Sequence, residues 1–356
     1  MKERPVAETK RIDWIDAAKG FAILLVMMGH SDPPEVVMTW LYTFHVPLFF
    51  FLSGYVFKIK NGENFLSFVR RKIFTLVVPM ILFSIVSILI DVIYYCAILQ
   101  SKSIISIWKR IPGIFINGRI DHFPSVFWFL SCLFVSEIIF FFLYRLRNRR
   151  VCFSAVLLLC SLVGWLSCTY MATPLPWSLD LVPISLFFIG CGVFVKRVCI
   201  STARKTYFFL LPIFLVLNIG LGAWNYMTCG KRVDIYMMDI GNYFLFYISA
   251  LAGIGFTILL FQLFDFKHGI TYIGRNSLIY YCMHYNIMIA AGNAVRYNVF
   301  HWNSQSLSFW GSLGISAMYV TIACVMLYFI SKFINRYCPF MLGKFYPQKN
   351  KRKVTE

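Results

Sequence analysis

The sequence predicts an all-α, polytopic membrane protein with about ten transmembrane helices and both termini in the cytoplasm. Of the 356 residues, 59% are hydrophobic, whereas soluble domains contain about 45–50% apolar residues. Apolar windows recur along the whole chain, and many approach the roughly 20 residues that a helix needs to cross a bilayer. Lysine and arginine concentrate in alternate connecting segments, which is the pattern of a chain that crosses a membrane repeatedly.

The ten predicted helices follow the apolar windows in chain order. The first window is charged at its start, and His45-Val-Pro47 interrupts the beginning of the second. The windows cover residues 13–30, 39–58, 73–99, 123–144, 151–170, 178–195, 206–226, 240–263, 275–293 and 309–331. A further apolar stretch at 104–115 contains Lys109 and Arg110 and predicts an interfacial or re-entrant helix.

The distribution of basic residues gives the orientation. With both termini in the cytoplasm, 27 of the 34 lysines and arginines lie in cytoplasmic segments, as the positive-inside rule requires. The net charge of +19 is therefore a topology signal and a contact with anionic membrane lipids, and no nucleic-acid partner is needed to explain it. The seven basic residues on the outer side are Lys102, Lys109, Arg110, Arg119, Lys231, Arg232 and Arg296.

We expect one transmembrane domain, because the longest polar stretches contain only about twenty residues. It covers 13–334, between a cytoplasmic N-terminal tail at 1–12 and a basic cytoplasmic tail at 335–356. The apolar run at 21–28 has no cleavage site after it, so we do not expect a signal peptide. The eleven cysteines have no metal-ligand spacing, and we interpret them as small core residues.

The first predicted helix carries titratable side chains at membrane depth. At 100° per residue, Lys19 and His30 lie about 20° apart around the helix, and Asp16 lies within about 60° of both. Ionisable groups are costly in lipid and normally face a cavity or mark a functional path. A snorkelling helix end explains Arg11 and Asp13 but not His30. We interpret this stripe as a functional site, in which Asp16 orients Lys19 as an i,i+3 pair.

A second histidine, His45, faces His30 across a short outer loop at 31–38. The loop also contains Asp32 and Glu35, so a metal site of two histidines and carboxylates is an alternative. That alternative lacks a helical His-x-x-x-His pair or a cysteine cluster, and we expect no metal. A histidine that removes a proton from a hydroxyl needs only a near-neutral pKa and hydrogen-bond reach.

Three further sets of polar residues attract attention. Arg70-Arg71-Lys72 precedes the third predicted helix on the cytoplasmic side, where it is either a helix-end anchor or a clamp for a phosphorylated ligand. Glu137 lies near the middle of the fourth helix without a basic residue in the same span. The ninth helix places His284 about 15 Å from its start, at a depth where histidine is unusual.

Four sequence blocks occur in order along nearly the whole chain. They are Asp16-x-x-Lys19-Gly20 followed by His30, Phe44-His-x-Pro-Leu-Phe-Phe-Phe-Leu-Ser-Gly-Tyr55, Val126-Phe-Trp128-Phe-Leu-x-x-Leu-Phe134, and Gly274-Arg-Asn-Ser-Leu-Ile-Tyr-Tyr-Cys-Met-His284. With these blocks the chain resembles the integral-membrane acyltransferase family 3, whose members transfer acyl groups to sugars of bacterial surface glycans. The resemblance also fits ten helices with both ends inside, and it implies a bacterial inner-membrane location.

The resemblance implies a catalytic set of His30, Lys19 and Asp16. The family's catalytic histidine falls on His30, and the arginine before it falls on Lys19, so that a guanidinium is replaced by an ammonium. His30 is expected to act either as the general base on a hydroxyl or as a transient acyl carrier. The residues alone do not separate these two routes.

The resemblance also implies an acyl-CoA donor, in first place acetyl-CoA, bound from the cytoplasm. The family's Arg-x-x-Arg before the third helix falls on Lys72 and Thr75, so the second basic residue is missing. We expect Arg70 and Arg71 to serve in its place. With Lys19 they would attract the phosphates of the donor at the inner mouth.

On the acceptor side, the resemblance implies a surface or exported glycan, or a lipid-linked sugar. The predicted substrate-binding residues are His45, Trp128, Glu137 and His284. We expect His30, Trp128 and His284 to line one cavity, with Trp128 stacking on the sugar and His284 acting as a hydrogen-bonding partner. An interfacial anchor is the alternative role for Trp128.

Two other classes of protein share these features. A transporter or glycan flippase without acyl-transfer chemistry would also have buried charges, a cavity and ten helices, but it would need neither a basic acyl-CoA mouth nor a histidine in the outer half. A structural membrane protein would use its polar residues only to hold helices together. The absence of an internal repeat weakens the transporter alternative.

Overall fold

The computed structural model of the chain describes residues 12–93, 110–116, 119, 125–198, 204–266, 269–299 and 308–344. Every regular element in these residues is helical, which confirms the predicted all-α class. Eight helices of this part are long and apolar enough to cross a membrane, so the chain is a multi-pass membrane protein. They are Glu35–Tyr55, Phe65–Ile93, Trp128–Asn148, Arg150–Tyr170, Pro176–Arg197, Arg204–Cys229, Tyr243–Leu263 and Phe309–Tyr337.

The helices are numbered here in chain order. Several of the spans above contain two helical segments separated by a break or by a tighter or wider turn. The α-helices are α1 (Asp13–Gly29), α2 (Glu35–Tyr42), α3 (His45–Tyr55), α4 (Phe65–Lys72), α5 (Val78–Ile93), α6 (Arg110–Ile116), α7 (Trp128–Leu143), α8 (Arg150–Tyr170), α9 (Val182–Val198), α10 (Arg204–Cys229), α11 (Tyr243–Leu263), α12 (Gly269–Arg275), α13 (Ser277–Asn293) and α14 (Phe309–Tyr337).

Two predicted spans are not among the eight. They correspond to α1 and α13, which have 17 residues each and are therefore about 25 Å long, slightly less than the hydrocarbon thickness. Both carry the titratable side chains that drew attention in the sequence. The total of ten spans, and the side on which the termini lie, stay predictions.

The second predicted helix differs from the structure in its bounds. It begins at Glu35 instead of 39 and is broken at Thr43 and Phe44, so the loop before it covers only 31–34. The break lies four residues before Pro47, which has no N–H to give to the carbonyl of Thr43. At the same break, the hydroxyl of Thr43 donates a hydrogen bond to the carbonyl of Trp40 at 2.7 Å.

The third predicted helix also begins earlier, at Phe65, where Asn64 caps it by accepting a hydrogen bond from the Ser67 N–H at 2.9 Å. The basic triplet was predicted to precede this helix, but it lies within α4. A wide π turn at Ile73–Val77 joins α4 to α5. It precedes Pro79, which cannot donate to the carbonyl of Thr75, and this missing bond favours a wider turn.

Two more predicted segments change their bounds. The ninth helix begins at Gly269, is interrupted at Asn276 and resumes as α13. Of the predicted interfacial or re-entrant helix at 104–115, residues 110–115 lie in α6, while residues 104–109 lie outside the described part. Its position relative to the membrane stays a prediction.

Two pairs of helices pack with their backbones almost in contact. A methyl group on Gly20 of α1 would collide with the carbonyl oxygen of Ile270 in α12, and one on Gly274 would collide with that of Asp16. The same close approach joins α3 to α9 at Gly54, where a methyl group would meet the Ile189 carbonyl. Small residues permit such contacts in membranes, and they lock the register of the neighbouring helices.

The two ends of the bundle have different contacts. At the end where α1 begins, called here the Asp13 end, the Arg275 guanidinium contacts the carboxylates of Asp13 at 3.0 Å and Asp16 at 3.3 Å. At the opposite end, called here the loop end, α1 stops and the 31–34 and 230–242 loops begin. The Arg232 side chain joins these two parts of the chain by contacting Glu35 at 3.7 Å.

Candidate functional site

A cavity of about 110 Å³ lies at the loop end, between the helices and the 230–242 loop. Its wall contains residues from all four sequence blocks, which are far apart in the chain. The lining residues from these blocks include His30, His45, Trp128, Phe129 and Tyr281. The four blocks therefore meet at one cavity in the folded protein.

His30 and Trp128 line the cavity as predicted, whereas His284, predicted to line it with them, is not among the lining residues. His284 lies beside His30, with 5.3 Å between the ring centroids and 40° between the ring planes. The close contact of α1 and α12 explains this arrangement. Gly20 and Gly274 lie at that contact. Gly20 precedes His30, and Gly274 precedes His284, by ten residues each, which is about 15 Å along a helix. Both helices run from the Asp13 end, so the two imidazoles arrive at the same depth.

Hydrogen bonding fixes the tautomer of His284. Its Nδ1 lies 2.7 Å from the carbonyl oxygen of Tyr281, and a carbonyl only accepts, so Nδ1 carries the hydrogen. In the neutral ring Nε2 then holds the lone pair. The residue is fully buried, and Nε2 has no hydrogen-bond partner among the described residues. A buried acceptor is thus held next to His30.

The ring of His45 is fixed in the same way on another wall of the cavity. Its Nδ1 donates to the carbonyl of Leu41 at 2.7 Å, so Nε2 of the neutral ring is an acceptor. The Tyr42 ring packs edge-on against it with centroids 4.9 Å apart. The break between α2 and α3 turns these two neighbouring residues toward one cavity.

Aromatic side chains form the remaining wall. Trp128 begins α7 and lies 5.9 Å from the ring of Tyr236 in the 230–242 loop. Phe129 packs on Tyr281 with centroids 5.5 Å apart, and the Tyr281 hydroxyl donates to the carbonyl of Val126. The start of α7 is thereby attached to α13, next to the histidine pair.

Sequence reasoning missed the contribution of the 230–242 loop. Its Asp234 lines the cavity and accepts a hydrogen bond from the Met237 N–H at 3.3 Å, while Arg232 lies 4.0 Å away. Burial raises the pKa of the Asp234 carboxyl above its usual value. No hydropathy or motif signal marks this residue, because its position depends on how the loop folds back over the helices.

The predicted basic cluster is arranged differently from a free group of cations. The Arg71 guanidinium binds both oxygens of Glu63, at 2.7 and 2.8 Å, and this bond lowers the pKa of Glu63. The Lys72 ammonium lies 2.6 Å from Glu137. Arg70 is exposed, with its guanidinium 5.9 Å from the Phe74 ring.

The Lys72 pair supplies the basic neighbour that Glu137 lacks within its own helix. The ammonium also lies 5.8 Å from the Phe57 ring and 5.6 Å from the Phe68 ring. The Glu137 side chain is 6% exposed and that of Lys72 14%, so the pair is largely removed from solvent. Glu137 does not line the cavity, and its predicted contact with substrate stays a prediction.

Asp16 and Lys19 lie nearer to the Asp13 end than His30 does. Asp16 contacts Arg275 of α12, so it helps to hold α12 against α1. Lys19 is half-buried, one helical turn further along α1. Its predicted roles in catalysis and in donor binding, and its orientation by Asp16, stay predictions.

The histidines and carboxylates of the metal alternative lie in the described part of the chain. In the described part of the chain, no three His, Cys, Asp or Glu side chains form a group that would hold a metal ion. Glu35 begins α2 and contacts Arg232 at 3.7 Å rather than joining the histidines.

A family model described as an acyltransferase domain, that of acyltransferase family 3, matches residues 12–329. The chain therefore belongs to this family and is a membrane acyltransferase. No curated protein and no solved structure matches the chain.

Proposed function

We propose that the protein is an O-acetyltransferase of the bacterial inner membrane. It would take an acetyl group from acetyl-CoA in the cytoplasm and pass it to a hydroxyl of a surface or exported glycan. The observation that carries the proposal is the cavity at the loop end, because residues of all four family blocks line it and His30 in its wall lies beside His284.

His30 is the proposed general base. It faces the cavity, and His284 offers a buried acceptor nitrogen beside it. An N–H of His30 that donates to this nitrogen would leave the other ring nitrogen to take the proton of the sugar hydroxyl. The hydroxyl oxygen then bonds to the acetyl carbon, the carbon–sulfur bond breaks, and the proton passes to the departing thiolate.

For the donor, we propose that the Asp13 end faces the cytoplasm. Arg145 and Arg70 are exposed at this end of the bundle, which agrees with the positive-inside rule. Of the predicted clamp, Arg70 is the side chain best placed for a CoA phosphate, since Arg71 and Lys72 already contact carboxylates. The acetyl arm would pass between the helices, along the Lys19 side of α1, toward His30.

The test compares glycans and acetyl-CoA binding. Mass spectrometry of surface glycans from cells with and without the gene should show a difference of one acetyl group per modified sugar. Purified protein should bind acetyl-CoA. Unchanged glycans together with no acetyl-CoA binding would contradict the proposal and favour a flippase, whereas a larger acyl group would correct the donor.

A further inference from the structure

The 230–242 loop is held firmly against the helices. Arg119, which forms a buried ion pair with Asp180, donates to the carbonyl of Tyr236 at 2.7 Å. Asn225 of α10 donates to the Ile240 carbonyl at 3.0 Å. Trp165 of α8 donates to the Gly241 carbonyl at 3.0 Å. Three separate parts of the protein thus fix the backbone of a connecting loop.

The loop also has a closed internal turn. Asp234 and Asp239 form an antiparallel bridge, with the Asp239 N–H donating to the Asp234 carbonyl at 2.9 Å. Met238 in the turn has a φ of +62°, a strained value that survives only where neighbouring contacts hold it. This rigidity presents Asp234 and Tyr236 to the cavity in a fixed geometry.

The side chains around this part of the cavity are those of a binding site for a hydroxyl-rich ring. Trp128 and Tyr236 provide two aromatic surfaces, against which the apolar face of a sugar packs. The Asp234 carboxylate is 17% exposed and, when ionised, only accepts hydrogen bonds. A half-buried carboxylate beside aromatic rings is suited to neighbouring hydroxyls, because charge-assisted hydrogen bonds are about twice as strong as neutral ones.

We infer that the 230–242 loop is the acceptor-recognition element of the enzyme. Asp234 binds hydroxyls of the sugar next to the one that is acylated, while Tyr236 and Trp128 hold the ring above His30. This inference rests on the proposed function and adds the residues that select the acceptor. Because the loop is already fixed, the sugar meets a preformed site and little ordering cost reduces its affinity.

The matched test uses two aspartates of the same loop. Asp234→Asn keeps an oxygen for the Met237 N–H, so it should fold normally while losing the charge. Asp239→Asn is the control, because Asp239 contacts Lys231 and does not line the cavity. The acceptor is the unacetylated glycan from cells that lack the gene. Its binding to the purified full-length protein is measured without acetyl-CoA, and its KM is measured with labelled acetyl-CoA.

We expect Asp234→Asn to weaken glycan binding and raise the glycan KM by about 10- to 100-fold, with acetyl-CoA binding unchanged. Tyr236→Ala should also weaken glycan binding, and Asp239→Asn should behave as the native protein. Equal glycan affinity in the native, Asp234→Asn and Tyr236→Ala proteins would overturn the inference. Glycan binding that depends on Asp234 in a protein that transfers no acetyl group would support the inference and overturn the proposed function alone.

Discussion

The histidine cavity and the basic segment of α4 both bring ionisable side chains into the helix bundle, and they treat them in opposite ways. In α4, Lys72 meets Glu137 at 2.6 Å and Arg71 meets Glu63 at 2.7 Å. Beside the cavity, the Nε2 atom of His284 is buried without a hydrogen-bond partner among the described residues. In α4 these two charges are paired with opposite charges, and beside the cavity a neutral acceptor nitrogen has no such pairing in the described part of the chain.

This difference separates polar side chains that stabilise the fold from polar side chains that serve function. A buried charge that is paired is compatible with a stable fold, so its presence in a membrane helix is no evidence of a ligand. Burying a nitrogen without a hydrogen-bond partner destabilises the fold. Such a nitrogen therefore indicates that a neighbouring group uses it during function. Substitutions in each region test this distinction.

Replacing His30 with Ala should have the largest effect on catalysis. The loss of a general base typically lowers the rate by about 10²–10⁴-fold. The measurement is acetyl transfer to glycan in isolated membranes, with acetyl-CoA binding as the control for folding. Transfer at the native rate would remove His30 from the mechanism.

Breaking the α4 pair should mainly affect stability. Lys72→Ala leaves the Glu137 carboxylate buried without its cation, a change that typically destabilises by about 3–5 kcal/mol. The double variant Lys72→Met, Glu137→Leu removes both charges and should recover most of the free energy of unfolding. Thermal unfolding in detergent measures both. A fully stable Lys72→Ala protein that loses acetyl-CoA binding would instead give Lys72 a role in donor binding.

Gly274→Ala tests the contact that aligns the two histidines. The added methyl group collides with the backbone carbonyl of Asp16, so α12 must move and His284 moves with it. A displacement of about 1 Å lowers catalysis by about 10²-fold. Gly314→Ala in α14 is the control, because no described atom lies within 4 Å of its added methyl group. Equal activity of the two variants would argue against the alignment.

Removing the Arg70 side chain should have a smaller effect, confined to the donor. Arg70→Ala should weaken acetyl-CoA binding several-fold, and the difference from the native protein should shrink at high salt because salt screens exposed charges. Arg145→Ala is the matched control, since Arg145 is also exposed and lies 5.8 Å from the Phe141 ring. The same loss in both variants would indicate general attraction rather than a specific clamp.

The smallest expected effect concerns Glu63. Its pKa in the folded protein is lowered by the hydrogen bond from Arg71, so the pair stabilises the fold above the ordinary carboxyl pKa and loses this contribution as the pH falls through the lowered one. Glu63→Gln should therefore cost about 0.2–1 kcal/mol at neutral pH. The cost should disappear in acid, as measured by thermal unfolding across pH. A cost independent of pH would mean that the carboxylate charge is not involved.

The amino-acid sequence is enough to predict the all-α membrane class and to single out His30, His45 and Trp128, which line the cavity. Hydropathy and helical periodicity depend on residues that are close in the chain, so they survive without tertiary information. The equal spacing from Gly20 to His30 and from Gly274 to His284 is also visible in the sequence. The missing N–H of Pro47 explains the helix break before it, and the capping side chain of Asn64 explains the start of α4. Both are local signals in the sequence, although the predicted helix bounds do not include them.

Which polar side chains pair with one another depends on contacts between residues that are far apart in the chain. Arg275 and Asp16 are 259 positions apart in the chain, and Arg119 and Tyr236 are 117 apart. The Lys72–Glu137 pair and the position of Asp234 over the cavity depend on contacts of the same kind. Neither periodicity nor composition contains such distances, because electrostatic pairing depends on where whole helices pack. The sequence therefore predicts a helix-end anchor or a clamp at the basic triplet, without its carboxylate partners, and it does not predict that the 230–242 loop lines the cavity.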